Sequence, residues 1–179
     1  MRTAIMISGR GSNLQALLDL ASSLRVSVVV SSKASALGLL RARRSGISTL
    51  VLDSKIDFKK LDQDLKSRGV QKIFLAGFMK ILPEFFVKAW EGKIVNVHPS
   101  LLPLYPGLSA FEKSFEEKNH MGVTLHMVTA ELDAGPALRQ FRFFKKSNDP
   151  AKALDLSQSQ LLLSFTEQRI VREVSHLWK

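Results

Sequence analysis

Short, continuous apolar runs alternate with amphipathic stretches along the N-terminal half of the chain, and this alternation limits the possible folds more than any other feature. The runs at 3–8, 26–31, 48–52, 72–76 and 94–98 lack the polar alternation of a half-solvated strand, so they predict strands covered on both faces. Between them, 13–21, 37–44, 58–68 and 83–90 carry apolar residues at helical spacing. Gly46 follows Arg43-Arg44-Ser45 and Gly69 follows Lys66-Ser67-Arg68, each a helix stop with cations in the last turn. Buried strands separated by helices build a parallel sheet with helices on both faces. The expected class is therefore α/β, a Rossmann-like, mostly parallel twisted sheet. Further along the order changes: a helix over 110–118 precedes strand-like runs at 123–129 and 137–144, and a long amphipathic stretch, 151–178, closes the chain. Nothing reads as an interdomain linker, so residues 1–179 are expected to form one domain.

Composition narrows the function classes. No apolar run approaches the roughly 20 residues of a membrane span. The first eight residues superficially resemble the apolar part of a signal peptide, but they lead into Gly9-Arg10-Gly11-Ser12-Asn13 instead of a small-residue cleavage site and read better as a buried first strand. The sequence has no Cys, which excludes disulfides and thiolate chemistry and suits a reducing cytoplasm. The formal net charge of +10 points to anionic partners. The basic residues are dispersed, however. The densest groups, 41–44, Lys59-Lys60 and Lys145-Lys146, are not interleaved with aromatics, so anionic small molecules fit better than nucleic acid. The expected state is a monomer or homodimer with small-molecule substrates.

Ser8-Gly9-Arg10-Gly11-Ser12-Asn13-Leu14 joins the first strand to the first helix. Glycines allow the tight turn, and unpaired amides at a helix start face anions. A dinucleotide site would need a small residue at Leu14 and an acid near the end of the second strand, where the chain reads Ser31-Ser32-Lys33. A Walker lysine is also missing. The loop therefore suits one terminal phosphate, held by Gly11, Ser12 and Asn13 with the last two adding side-chain donors. A glycine turn followed by a Ser or Asn helix cap is the competing reading.

Asn96-Val97-His98-Pro99-Ser100-Leu101-Leu102-Pro103 lies at the mouth of the fifth apolar run. Period two sends Asn96 and His98 to the same side of a strand. An amide donor beside an imidazole suits acyl or formyl transfer, which needs an oxyanion donor and a group that titrates near neutrality. A turn-capping Asn with a satisfied His is the alternative. Asp133, in Glu131-Leu132-Asp133-Ala134-Gly135-Pro136, is a turn former unless the fold brings it to His98, where it would favour the charged imidazole. His126 sits inside a strand run and reads as structural, while His120 and His176 read as surface residues. Asn96, His98, His126 and Asp133 match no metal-ligand spacing, so no metal is expected.

Four segments together resemble the phosphoribosylglycinamide formyltransferases of the formyltransferase-fold family. They are 7–17 around Gly9-Arg10-Gly11-Ser12-Asn13, Leu75-Ala76-Gly77-Phe78-Met79-Lys80-Ile81-Leu82, 96–108 from Asn96 through Tyr105-Pro106-Gly107-Leu108, and 129–136 around Leu132-Asp133-Ala134-Gly135-Pro136. The likeness covers about residues 3–144. It implies a folate-dependent transferase of purine biosynthesis using 10-formyltetrahydrofolate as co-substrate and no metal. Gly11, Ser12 and Asn13 would hold the acceptor's phosphate. Met79, Lys80, Ile81 and Leu82 would line the folate pocket, largely with backbone groups, joined by Asn96, which would bond the formyl oxygen. His98 would donate the proton and Asp133 would keep it charged. The chain departs from the family pattern at Lys80, where an Arg is common, and at Ser109 and Phe111. In the last helix Gln158 corresponds to a Gln that approaches the acceptor's sugar, and Leu161 stands where a Glu is usual. The alternatives are a formyltetrahydrofolate hydrolase, a formyltransferase for another amine, and a basic binding protein on a degenerate scaffold; the last is disfavoured because Asn96, His98 and Asp133 are all present.

Overall fold

The structure, a computed structural model, describes residues 1–19, 24–117, 121–143 and 155–174. The ends of the expected elements at 13–21, 110–118, 137–144 and 151–178 lie partly outside the described residues, as do His120, His176 and Lys145-Lys146. In chain order the elements are β1 (Arg2–Ile7), α1 (Ser12–Leu18), β2 (Arg25–Ser31), α2 (Gly38–Arg44), β3 (Ser48–Val51), α3 (Phe58–Ser67), β4 (Lys72–Leu75), α4 (Glu84–Ala89), β5 (Ile94–His98), α5 (Ala110–Glu116), β6 (Met121–Met127), β7 (Ala137–Phe143) and α6 (Leu156–Arg172).

The strands form one sheet in the order β3-β2-β1-β4-β5-β6-β7. Its first five strands are parallel, and β6 and β7 run antiparallel at one end. Period two divides the core as the apolar runs require. Ile5, Ile7, Val29, Phe74, Val95 and Val97 face one side, with Leu14 and Leu17 of α1, Leu39 of α2 and Ile170 of α6. Ala4, Met6, Val28, Val30, Ile73, Leu75 and Ile94 face the other, under Leu61 and Leu65 of α3 and Phe86 of α4. Burying a side chain of this size stabilises by about 1.5–3 kcal/mol, and residues on both faces of every central strand do so.

The strand order reverses direction at β1, which has β2 on one side and β4 on the other. In open α/β sheets ligands bind beyond the carboxyl ends of strands at such a reversal, because the departing loops part there. The glycine-rich turn leaves β1 and the segment from Gly77 to Leu82 leaves β4, so both open at this crevice. They are tied together: the Met79 backbone N–H donates to the Ser8 hydroxyl at 2.8 Å, and Ser8 also bonds Ser32 across 2.6 Å.

The run expected at 123–129 begins two residues earlier and ends at Met127. Val128 still donates its N–H to Ile94 O at 2.9 Å, after which the Thr129 hydroxyl turns to Glu131 O and starts the loop. Helix α6 opens with a capping box. The Asp155 carboxylate accepts from Gln158 N at 2.7 Å, and the Gln158 side chain accepts from Asp155 N at 3.0 Å.

Candidate active site

Asn96 and His98 leave β5 on the same side, as period two requires, and the loop between β6 and β7 folds back over them. Its Asp133 carboxylate lies 3.4 Å from His98 Nδ1 through one oxygen and 3.6 Å from His126 Nε2 through the other. The same carboxylate accepts the Gly107 N–H at 2.8 Å, which joins the loop after β5 to the loop after β6. Asp133 has φ 51°, a left-handed backbone that Asp tolerates better than most residues. Gly135 makes the turn possible: a Cβ there would stand 1.8 Å from the Met127 carbonyl oxygen.

His98 is buried, and both its ring nitrogens face acceptors. Nε2 lies 2.9 Å from Tyr105 O, and a carbonyl can only accept, so Nε2 carries a hydrogen. Nδ1 faces Asp133. The Pro-rich loop that supplies Tyr105 O is pinned from below. The buried Ser100 hydroxyl donates to Leu104 O at 2.6 Å, Thr124 Oγ1 donates to Ser100 O at 2.7 Å, and Leu102 N donates back to Thr124 Oγ1 at 3.0 Å. The imidazole is thus positioned by Tyr105 O, on a loop that the Ser100 and Thr124 hydroxyls hold in place.

Asn96 is half-buried, and its amide nitrogen lies 3.1 Å from His126 Nε2. His126 Nδ1 is 2.9 Å from Met127 O, so Nδ1 is the protonated nitrogen and Nε2 accepts from Asn96. Burial pushes the His126 imidazole below its ordinary pKa, with the Met127 hydrogen bond and the Asp133 carboxylate pulling the other way and His98 adding to the drop. A neutral His126 keeps its acceptor. The reading of His126 as purely structural therefore missed a member of this cluster. The signal lay in register, since β5 and β6 pair Asn96 directly with His126, and one sequence does not reveal register.

The expected anion loop keeps its backbone geometry. Gly11 has φ 74° at the N-cap of α1, and a Cβ there would stand 2.7 Å from Gly38 Cα. The side-chain part of the expectation is corrected. Asn13 is buried and its amide nitrogen donates to Glu167 Oε2 of α6 at 3.2 Å, so it points into the protein instead of towards an anion. Its position in the first turn of α1 faces it to α6, which packs along that helix. Gln158 also departs from expectation: its side chain closes the capping box of α6. Met79 and Ile81, expected at the folate pocket with Lys80 and Leu82, are 69% and 78% exposed. Leu82 packs into the core beneath them. Among the described residues no group of three His, Cys, Asp or Glu is arranged to hold a metal, and no helix is long and apolar enough to cross a membrane.

A family model described as formyl transferase matches residues 1–155. The chain is 40% identical to the phosphoribosylglycinamide formyltransferase of Escherichia coli (strain K12) over 152 residues, 78% of this chain and 71% of that protein. It is 39% identical to the trifunctional purine biosynthetic protein adenosine-3 of Homo sapiens over 164 residues, 86% of this chain but only 16% of that protein. In three dimensions it is similar to the phosphoribosylglycinamide formyltransferase of Anaplasma phagocytophilum. The TM-score is 0.87 at 39% identity, covering 96% of this chain and 83% of the other.

Proposed function

This chain belongs to the formyl transferase family, and from that membership we propose that it transfers a formyl group from 10-formyltetrahydrofolate to the primary amine of glycinamide ribonucleotide, a step of purine biosynthesis. The chain of contacts that links Asn96 through His126 to Asp133, and Asp133 to His98, carries this reading. The amine nitrogen bonds to the formyl carbon and the carbonyl electrons move onto oxygen. The free N–H of the Asn96 amide donates to that oxygen, which is a weak acceptor before attack and a charged one after it. Collapse breaks the bond from carbon to the folate nitrogen. The amine gives up a proton and the folate nitrogen gains one. His98 is the proton donor in this reading, held by Asp133. Because its Nε2 rests on Tyr105 O, delivery runs through release of that carbonyl or through water beside Asp133.

Met79, Lys80, Ile81, Leu82 and Asn96 form the folate side of the site. Gly11, Ser12 and Asn13 meet the acceptor's phosphate with backbone N–H groups, which a helix start leaves unpaired. The reaction takes place in the cytoplasm, with the protein a monomer or homodimer.

The test is formyl transfer assayed with glycinamide ribonucleotide and with its dephosphorylated form. The formylated amine should appear only with an acceptor present. The dephosphorylated acceptor should bind at least about tenfold worse, since charge-assisted bonds contribute about 1.5–3 kcal/mol each. Formate released at the same rate without any amine would identify a hydrolase and overturn the proposal. Equal use of both acceptors would point to a different amine.

A further inference from the structure

The contact between Asn13 and Glu167 joins residues 154 positions apart and ties α6 to the turn that the proposed function gives to phosphate. Asn13 Nδ2 donates to Glu167 Oε2, yet Asn13 Oδ1 is buried and has no hydrogen-bond partner among the described residues. A carboxylate only accepts, so an ionised Glu167 leaves that oxygen unsatisfied, whereas a carboxylic acid brings the missing donor. An amide and a neutral acid match edge to edge, each giving one hydrogen bond and taking one. We propose that Glu167 is a positioning residue for the glycine-rich loop: as a neutral acid it closes a two-hydrogen-bond ring with the Asn13 amide, turns that side chain inward, and keeps negative charge away from the loop.

The surroundings agree. Burial raises the Glu167 pKa, and the Asn13 hydrogen bond only partly offsets it. Helix α6 packs against α1, β6 and β7. Helix α1 carries no charged residue. The one titratable group of β6, His126, is engaged with Asn96, Met127 and Asp133. On β7, Arg139 pairs with Glu173 at 2.9 Å, and Arg142 is exposed. Arg169 of α6 stacks on the Phe141 ring, 4.7 Å from its centroid. Arg172, at the end of α6, is exposed, and among the described residues no cation forms an ion pair with Glu167.

The variant E167Q tests this, because Gln offers the donor and acceptor of the neutral acid at every pH. Difference infrared spectra of the intact protein against E167Q across a pH titration should show, in the wild type only, a protonated-carboxyl band that persists above the ordinary Glu range; loss of the band within that range overturns the proposal. The raised pKa also sets a sign. Stability from the neutral acid is fully present below the unfolded Glu pKa and is lost as pH rises through the folded one. E167Q should therefore melt with the wild type near pH 4 and about 2–5 °C above it at pH 8; a flat or reversed difference overturns it. The last arm rests on the proposed formyl transfer. As Glu167 ionises, KM for glycinamide ribonucleotide should rise roughly threefold to tenfold in the wild type, as for a like charge brought near a partly screened anion. In E167Q the same rise should be missing, and kcat should follow one pH profile in both proteins. An equal KM response overturns the positioning role. Failure of formyl transfer itself would count against the function and leave the infrared and melting results standing.

Discussion

The Asn96 amide nitrogen lies 3.1 Å from His126 Nε2 while His126 Nδ1 faces Met127 O at 2.9 Å, so a strand carbonyl two steps away determines which way the amide points. A flipped amide would set two acceptors against each other. The orientation that the proposed role of Asn96 as an oxyanion donor calls for is thus built before any substrate arrives, which is where such donors gain their effect.

Replacing Asn96 with Ala should cost roughly 2.7–4 kcal/mol of transition-state stabilisation, as for other deleted oxyanion donors. Folate and acceptor binding should change far less. The lost bond to His126 should lower stability by only about 0.5–1.5 kcal/mol. Single-turnover rates and melting curves on one preparation separate the two effects. A destabilised variant with full turnover would show that Asn96 serves the fold alone.

His126 should titrate below its ordinary value near 6.5, because burial lowers its pKa. A depressed imidazole stays neutral in the fold while the unfolded chain takes up a proton. Its stability contribution is present above the unfolded pKa and lost as pH falls through the folded one. Turnover should fall in the same window, since a protonated Nε2 no longer accepts from Asn96 and instead faces Asp133 Oδ1 at 3.6 Å. NMR titration of the ring beside a pH profile of turnover checks this; a ring titrating above 6.5 would contradict it. His126→Phe should lower kcat by about tenfold, the scale of one lost neutral hydrogen bond, with folate affinity held within a few-fold.

Asp133→Asn should cut turnover by orders of magnitude and leave folate affinity within a few-fold. The amide oxygen can still accept the Gly107 N–H, so the loop should keep its place. What is lost is the negative charge opposite His98 Nδ1. Equilibrium folate binding alongside kcat decides the point, and a variant with near-normal kcat would remove Asp133 from the chemistry.

Gly11→Val should damage acceptor binding first. It forces a β-branched residue to a φ of 74° and drives its Cβ to 2.7 Å from Gly38 Cα. Strain of this kind costs about 1–3 kcal/mol before any backbone shift. KM for the phosphorylated acceptor should rise much more than KM for folate. Equal rises in both would mean that the substitution disturbs the sheet rather than the loop.

The parallel half of the fold was legible because its signals are local. Continuous apolar runs and glycine stops lie within a few residues of the strands and helices they specify, and period two alone put Asn96 and His98 on one side of β5. The joining of Asp133 to that pair was visible only through resemblance, since its contact with His98 spans 35 residues and depends on a left-handed backbone and on Gly135 fitting against Met127. Three assignments went elsewhere for the same reason. His126 joined the cluster through antiparallel register, Gln158 turned to cap its own helix, and Asn13 turned inward to Glu167. Each of these side chains can donate and accept in several directions, and its sequence neighbours do not choose among them. Only the packing of β6 on β5 and of α6 on α1 presents the partner, because a buried polar group must take whichever hydrogen bond the tertiary structure brings within reach.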